Sequence, residues 1–167
     1  MSEPISTIVL WLFVVNLGIA FGAGLYESRI VVSQWLTTRP GSASQWNAEA
    51  AREANVGLRF WVYVTTVPLT LLTVASLVAV WWAPQSIRPW WLAACAAALA
   101  DRVMTFTYFI PTMLTLMREG ALSESAAAFK ARQWATLGYV RHVATLTAWL
   151  TALRALSLLG TAGADGA

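Results

Sequence analysis

Residues 89–110 read PWWLAACAAALADRVMTFTYFI, an apolar run that is interrupted past its middle by the adjacent charges of Asp101 and Arg102. At 1.5 Å per residue, a helix of this length crosses the roughly 30 Å hydrocarbon core of a bilayer. A charged side chain at mid-membrane costs about 2.5–3.5 kcal/mol, so such residues face protein or a polar cavity. The stretch therefore predicts a membrane-spanning helix whose two charged side chains face other helices.

Three further stretches have the length and apolarity of a membrane span, residues 5–26, 59–82 and 133–159. Continuous apolarity, without alternation of apolar and polar residues, favours helices over barrel strands. The 167 residues are 58% hydrophobic and 11% charged, whereas soluble domains have about 45–50% and about 25%. We predict an all-α protein, a single integral membrane domain over residues 1–167 that forms a four-transmembrane-helix bundle with antiparallel neighbours.

The basic residues indicate how the bundle is oriented. The connections 27–58 and 111–132, with their flanks, carry eight of the eleven Lys and Arg residues, namely Arg29, Arg39, Arg52, Arg59, Arg118, Lys130, Arg132 and Arg141. Because basic connections stay in the cytoplasm, the positive-inside rule predicts that both are cytoplasmic loops and that both termini lie on the non-cytoplasmic side.

The connection 111–132 also carries signals for the ends of its flanking helices. Residues 112–119 are expected to prolong the third helix beyond a kink at Pro111. Gly120 is predicted to cap the end of that helix, and Ser123 is predicted as the N-cap of a long fourth helix.

Composition disfavours several classes of function. The net charge of +3 comes from scattered arginines without a dense basic stretch, which disfavours nucleic-acid binding. Cys95 is the only cysteine, which excludes an internal disulfide and a Cys-rich metal site. His142 has no second histidine with which to share a metal, so we predict neither metal nor cofactor, with haem ligation through His142 or a metal as weaker alternatives.

Polar side chains of all four spans are predicted to converge in the cytoplasmic half of the bundle. The catalytic candidates are Asp101, Arg102, Arg141 and His142, and the substrate-binding candidates are Glu27, Arg59, Thr105, Tyr108 and Trp134. This set has two carboxylates and three guanidiniums, and the positive surplus predicts an anionic or anion-forming ligand. Because adjacent helix positions lie about 100° apart, Asp101 and Arg102 are expected to contact different neighbours.

Two interpretations of these charges stay open. In one, His142 or Asp101 accepts a proton from a hydrophobic phenolic ligand, and an arginine stabilises the anion that forms. In the other, the charges form a structural ion-pair lattice that fixes the register of the helices.

Several short motifs resemble a known family. They are GAGLYESR at 22–29 followed by Trp35, DRVMT at 101–105, YFIPT at 108–112, and Trp134 with Arg141 and His142. Together they resemble the four-helix integral-membrane family named after the fungal anthrone oxygenases, over about residues 9–158. The resemblance implies a four-helix membrane fold and oxidation of an anthrone to an anthraquinone by molecular oxygen. Many members are bacterial proteins without an assigned reaction, which implies the inner membrane of a bacterium as the location.

The residues and the resemblance together predict a cofactor-independent oxygenase that acts on a lipophilic, phenolic or anthrone-type substrate in a cavity inside the bundle. The expected partners are the lipid bilayer and a lipophilic small molecule or lipid, with a homo-oligomer as a further option. The alternative is a non-enzymatic protein that binds a lipid or quinone or serves a structural role. Transport of a proton or small anion is a third, weaker hypothesis, since no polar stripe extends through the outer half.

Overall fold

The fold follows from four long apolar helices in the described part of the chain. The computed structural model describes residues 3–37 and 44–164, with residues 3, 4 and 160–164 as backbone only. Four helical stretches are long and apolar enough to cross a membrane, Ile5–Trp35, Gly57–Trp82, Arg88–Met117 and Glu124–Leu159. We refer to them as spans one to four. The predicted all-α class with four spans is confirmed.

Each span is built from several helical elements. Span one consists of α1 (Glu3–Tyr26), a π-helical turn (Glu27–Val31) and α2 (Val32–Trp35). Span two consists of a π-helical segment (Gly57–Thr66), α4 (Val67–Ala79) and a 3-10 turn (Val80–Trp82). Span three consists of α5 (Arg88–Met104), a π-helical turn (Thr105–Phe109) and α6 (Ile110–Met117), and span four is α7 (Glu124–Ala164). Between spans one and two lie β1 (Leu36–Thr37), β2 (Gln45–Trp46) and α3 (Ala48–Ala54).

The four spans pack around a core of small and large apolar residues. Helix α1 contacts α4 and α7, and α5 contacts the same two helices, so the four form a closed ring of neighbours. Large side chains such as Phe13, Leu17 and Trp91 are fully buried beside the alanines Ala148 and Ala152. Small residues allow helix backbones to approach closely, which is the packing expected where lipid replaces water outside the bundle.

The outer surface of the ring is apolar. All four spans expose large hydrophobic side chains, for example Trp11, Leu71, Val103 and Leu150. This pattern is consistent with contact to lipid tails, since a soluble protein rarely exposes a continuous apolar belt.

Three π-helical segments interrupt the α-helices, and two of them stand just before a proline. In each of them the backbone N–H bonds the carbonyl five residues earlier, as for Val32 to Glu27, Val67 to Val62 and Ile110 to Thr105. Pro68 and Pro111 stand just after two of these segments, and proline lacks the N–H that an α-helix requires. The kink expected at Pro111 therefore takes the form of a π-helical turn before it.

The helices extend beyond their predicted boundaries, most of all in span one. Residues 27–35 were expected to begin a loop because they carry Glu27 and Arg29, yet the helix continues to Trp35. Span three reaches Met117, in line with the predicted prolongation, and α7 begins at Glu124 after Ser123, whose Oγ accepts from the Ala126 N–H at 3.4 Å. Gly120 has φ of +69° in the turn after α6 and is not itself the cap residue.

The connection between spans one and two packs back onto the bundle. β1 and β2 pair antiparallel, with Leu36 opposite Trp46. Asn47 caps α3 by accepting a hydrogen bond from the Ala50 N–H at 2.9 Å. The Trp46 indole N–H donates to the Leu116 carbonyl at 2.9 Å, which joins this connection to the end of span three.

Candidate functional site

A cavity lies inside the bundle, and all three π-helical segments contribute to its lining. The volume that the centres of water molecules can occupy in this cavity is about 110 Å³. One buried water needs only about 10–15 Å³ on the same measure. Its apolar wall includes the aromatic side chains of Trp35, Trp61, Phe109 and Trp134. Its polar wall consists mainly of Glu27, Asp101, Arg102, Thr105, Arg141 and His142. Seven of the nine predicted site residues thus line one cavity, and Arg59 and Tyr108 do not.

Asp101 and Arg102 contact each other directly. The Arg102 Nε donates to Asp101 Oδ2 at 3.0 Å, and Arg102 Nη2 donates to the same oxygen. Both residues are buried. The prediction that they contact different neighbours is wrong, because the 100° angle separates the Cα–Cβ directions while the long arginine side chain folds back to the carboxylate.

Arg141 connects the carboxylates of two other spans. Its Nη2 lies 3.8 Å from Glu27 Oε2, and its Nε lies 4.0 Å from Asp101 Oδ1. The guanidinium carbon lies 4.6 Å from the centroid of the Phe109 ring and 5.6 Å from that of Trp61, both within cation–π distance. Arg141 is therefore the residue through which spans one, three and four share one ionic cluster.

Uncharged hydrogen-bond donors, the Trp61 indole and the Thr145 hydroxyl, lie beside the carboxylates of Glu27 and Asp101. The Trp61 indole N–H donates to Glu27 Oε1 at 2.7 Å. The Thr145 hydroxyl lies 3.4 Å from Asp101 Oδ1 and also donates to the Arg141 carbonyl at 2.9 Å. Hydrogen bonds to the charged form offset part of the cost of burying a carboxylate.

The charges at the cavity balance, which corrects the expected positive surplus. Arg59 is exposed and lies outside the cavity lining. Among the residues that the structure describes, the cavity wall then carries the carboxylates of Glu27 and Asp101 and the guanidiniums of Arg102 and Arg141. The prediction of an anionic ligand rested on a third guanidinium, so the structure removes its basis.

His142 is held in place by two neighbours on span one. Its Nε2 lies 2.8 Å from the Ser28 Oγ, within hydrogen-bond distance. Its ring lies against Gly24, where an added Cβ would be 2.8 Å from Cε1 and 3.0 Å from Nδ1. Only glycine at position 24 leaves room for the imidazole in this position.

Phe109 lines the cavity, and the predicted Tyr108 does not. The prediction followed one face of an α-helix through Asp101, Thr105 and Tyr108. The π-helical turn Thr105–Phe109 adds about one residue to a helical turn, so the inward position after Thr105 falls on Phe109. Phe109 is buried and its carbonyl accepts from the Trp134 indole at 3.2 Å, whereas Tyr108 is half-buried outside the lining.

Sequence reasoning missed Trp61, Thr65 and Ser28 as site residues. Trp61 and Thr65 line the cavity from the π-helical segment of span two. Tyr63, two positions after Trp61, is one of the most exposed side chains. Pro68 is the feature of the sequence from which this change could have been predicted. A proline inside an apolar helix interrupts the backbone hydrogen bonds and changes which residues face inward.

Comparisons with known proteins add no assignment to this geometry. No protein-family model matches the chain, and neither the curated proteins nor the solved structures give a match. The resemblance to the anthrone oxygenase family stays a prediction based on the quoted motifs. Among the described residues no group of three or more His, Cys, Asp or Glu side chains is arranged to hold a metal.

Proposed function

We propose that the chain is a multi-pass protein of the bacterial inner membrane, with antiparallel neighbouring spans and both termini on the non-cytoplasmic side. The distribution of basic residues supports this orientation, since eight of the eleven lie in or beside the connections 27–58 and 111–132.

Cysteine labelling tests the orientation. Gln85 is exposed in the connection between spans two and three, and Ser125 is exposed in the first turn of span four. In a Cys95→Ala background, we expect a membrane-impermeant maleimide to label Gln85→Cys in intact spheroplasts and Ser125→Cys only after permeabilisation. The reverse pattern would show the inverted orientation.

We further propose that the cavity binds a lipophilic ring ketone or phenol of the anthrone type and oxidises it with molecular oxygen, without a cofactor. The observation that carries the proposal is one cavity with aromatic walls on one side and, on the other, an imidazole beside a balanced cluster of two carboxylates and two guanidiniums. An aromatic wall suits a flat ring system, and the polar wall can stabilise charge that forms during reaction.

The reaction balances with oxygen as the only co-reactant. A ring CH2 conjugated to the ketone loses a proton to His142, and the enolate that remains reduces O2 to form a peroxide anion at that carbon, which takes the proton back from His142 to become a hydroperoxide. The hydroperoxide then loses water to leave a second carbonyl, so CH2 and O2 become C=O and H2O. Asp101 already accepts from Arg102 and lies beside Arg141, which leaves His142 as the preferred base.

Oxygen consumption by purified protein in nanodiscs with anthrone tests the reaction. We expect His142→Ala and Arg141→Ala to lower the protein-dependent rate at least about 100-fold, and Asp101→Asn to lower it too by disturbing both arginines. Arg59→Ala is the matched control, because this arginine is exposed outside the cavity, and it should retain the rate. A rate no higher than protein-free autoxidation, or one unchanged in His142→Ala, would contradict the proposal.

A second candidate is non-enzymatic binding of a lipid or quinone in the same cavity. The balanced charge of the wall favours it, since a closed ionic cluster can be a structural lattice that surrounds a neutral ligand. Native mass spectrometry distinguishes the two: a retained lipophilic molecule with no oxygen consumption on any anthrone supports binding alone.

A further inference from the structure

Two buried hydrogen-bond donors on the cavity wall have no protein partner among the described residues. They are Arg102 Nη1 and Thr105 Oγ1. Arg102 is 8% exposed and Thr105 is 5% exposed, and both residues line the cavity. They stand three positions apart on span three, a spacing that places side chains on the same helix face.

The hydroxyl of Thr105 differs from those of seven other helical threonines in the described part of the chain. Seven other helical threonines, including Thr107 and Thr145, donate to the carbonyl four residues earlier in their own helix. Thr105 opens the π-helical turn, and its hydroxyl makes no such bond. A buried donor left without an acceptor costs free energy, which a ligand oxygen recovers on binding.

Arg102 is oriented by the bond that it already makes. Its Nε and Nη2 both donate to Asp101 Oδ2, which leaves Nη1 as the remaining nitrogen of the planar guanidinium. Because its charge is neutralised by Asp101, this nitrogen offers a donor without a free positive charge.

We infer that Arg102 Nη1 and Thr105 Oγ1 form a subsite for one neutral carbonyl oxygen, and that the cavity prefers a polycyclic ketone or quinone over an anion. Both groups are donors, and a carbonyl oxygen has two lone pairs with which to accept both bonds. An anion would add net negative charge to a wall whose charges already balance, in surroundings of low dielectric. The inference deepens the proposed function by naming the ligand group and its partners, and it rests on that proposal only for the ring system.

Calorimetric titration with three unreactive ligands of one ring frame tests the subsite. They are 9-fluorenone, which has a neutral carbonyl, fluorene, which has no oxygen, and fluorene-9-carboxylate, which is an anion. The wild-type protein in detergent should bind fluorenone at least tenfold more tightly than the other two. Thr105→Val, which removes the hydroxyl at nearly constant shape, should weaken fluorenone binding about three- to tenfold without affecting fluorene.

Two further variants complete the test. Thr107→Val is the matched control, because its hydroxyl is exposed and bonds its own helix, and it should bind fluorenone as the wild type does. Arg102→Lys keeps the charge beside Asp101 but loses the planar fork, and it should weaken fluorenone binding about tenfold. If Arg102→Lys fails to fold, the comparison of fluorenone binding by Thr105→Val and Thr107→Val decides whether the subsite exists.

The outcomes separate this inference from the proposed function. Equal binding of fluorene and fluorenone, tighter binding of the carboxylate, no fluorenone binding at all, or equal effects of Thr105→Val and Thr107→Val would each overturn the subsite. Carbonyl-dependent binding without oxygen consumption on anthrone would keep the subsite and reject the oxygenase. Competition with a prenylated benzoquinone distinguishes the sources of the carbonyl, since displacement of fluorenone identifies a membrane quinone as an occupant.

Discussion

Replacing Asp101 with asparagine is expected to lower the free energy of unfolding by about 3–5 kcal/mol. The side chain is 3% exposed and neutralises Arg102, whose side chain is 10% exposed. Asparagine preserves the shape but leaves Arg102 buried without its counter-charge, and Arg141 loses one of its two carboxylates. Removing one partner of a buried pair is costly because the other charge stays desolvated. Unfolding in mixed detergent micelles measures the change.

Glu119→Gln is the matched control for this prediction. Glu119 lies 4.0 Å from Arg52 in an ion pair whose side chains are 91% and 40% exposed. The substitution exchanges the same chemical groups at a screened surface site, so unfolding should be unchanged within error. If both variants unfold alike, the Asp101 carboxylate is not buried in an ionic cluster.

Replacing Gly24 with alanine is expected to displace the His142 ring and lower stability by about 1–3 kcal/mol. The new Cβ would lie 2.8 Å from the ring carbon Cε1, closer than side chains tolerate, and the ring is already bonded to Ser28. Because His142 is the proposed base, oxygen consumption on anthrone should also fall at least tenfold. Thermal unfolding and the oxygen electrode measure the two effects.

Gly22→Ala provides the control two residues away on the same helix. No atom lies within 4 Å of a Cβ built at Gly22, and glycine inside a helix is less favourable than alanine by up to about 1 kcal/mol. Gly22→Ala should therefore be neutral or slightly stabilising, with an unchanged rate. Equal losses in both variants would indicate that helix flexibility, rather than contact with His142, is the cause.

The spans and the charged part of the cavity wall were predictable from sequence because bilayer physics constrains them strongly. A span needs about 20 apolar residues, and the four stretches stand out by length alone. A charge at mid-membrane must face inward, which predicts that Asp101 and Arg102 lie inside the bundle. The same principle brought Arg141 and His142 into the predicted site.

The errors have a common cause in helical periodicity and side-chain reach. Tyr108 was placed on the inward face by α-helical spacing, and the π-helical turn at Thr105–Phe109 moves Phe109 there. Trp61 was missed for the same reason on span two. Arg59 was counted by its position at the start of a span, although the helix turns it outward. The two π-helical segments stand before prolines that interrupt the α-helical hydrogen bonds. A rule that assumes 3.6 residues per turn throughout does not predict the change of face that they cause.

The early end predicted for span one has a different cause. The predicted span ends before Glu27, and an isolated carboxylate is unfavourable in an apolar helix. In the structure, Trp61 of span two donates a hydrogen bond to the Glu27 carboxylate, and Arg141 of span four forms an ion pair with it. These two contacts offset the cost of burying the charge. The helix can therefore continue, and this compensation is a tertiary property that no local pattern contains.

The most direct test of the ionic cluster extends the Asp101 series to a double-mutant cycle across two spans. Asp101→Asn, Arg141→Gln and the double variant are compared by unfolding free energy in mixed micelles. The pair Glu119→Gln and Arg52→Gln, with the same 4.0 Å separation at the surface, serves as the reference cycle. We predict a coupling of about 1–3 kcal/mol for Asp101 and Arg141 and no measurable coupling for the reference pair. Additive costs for Asp101 and Arg141 would contradict the claim that charges from separate spans meet in one buried cluster.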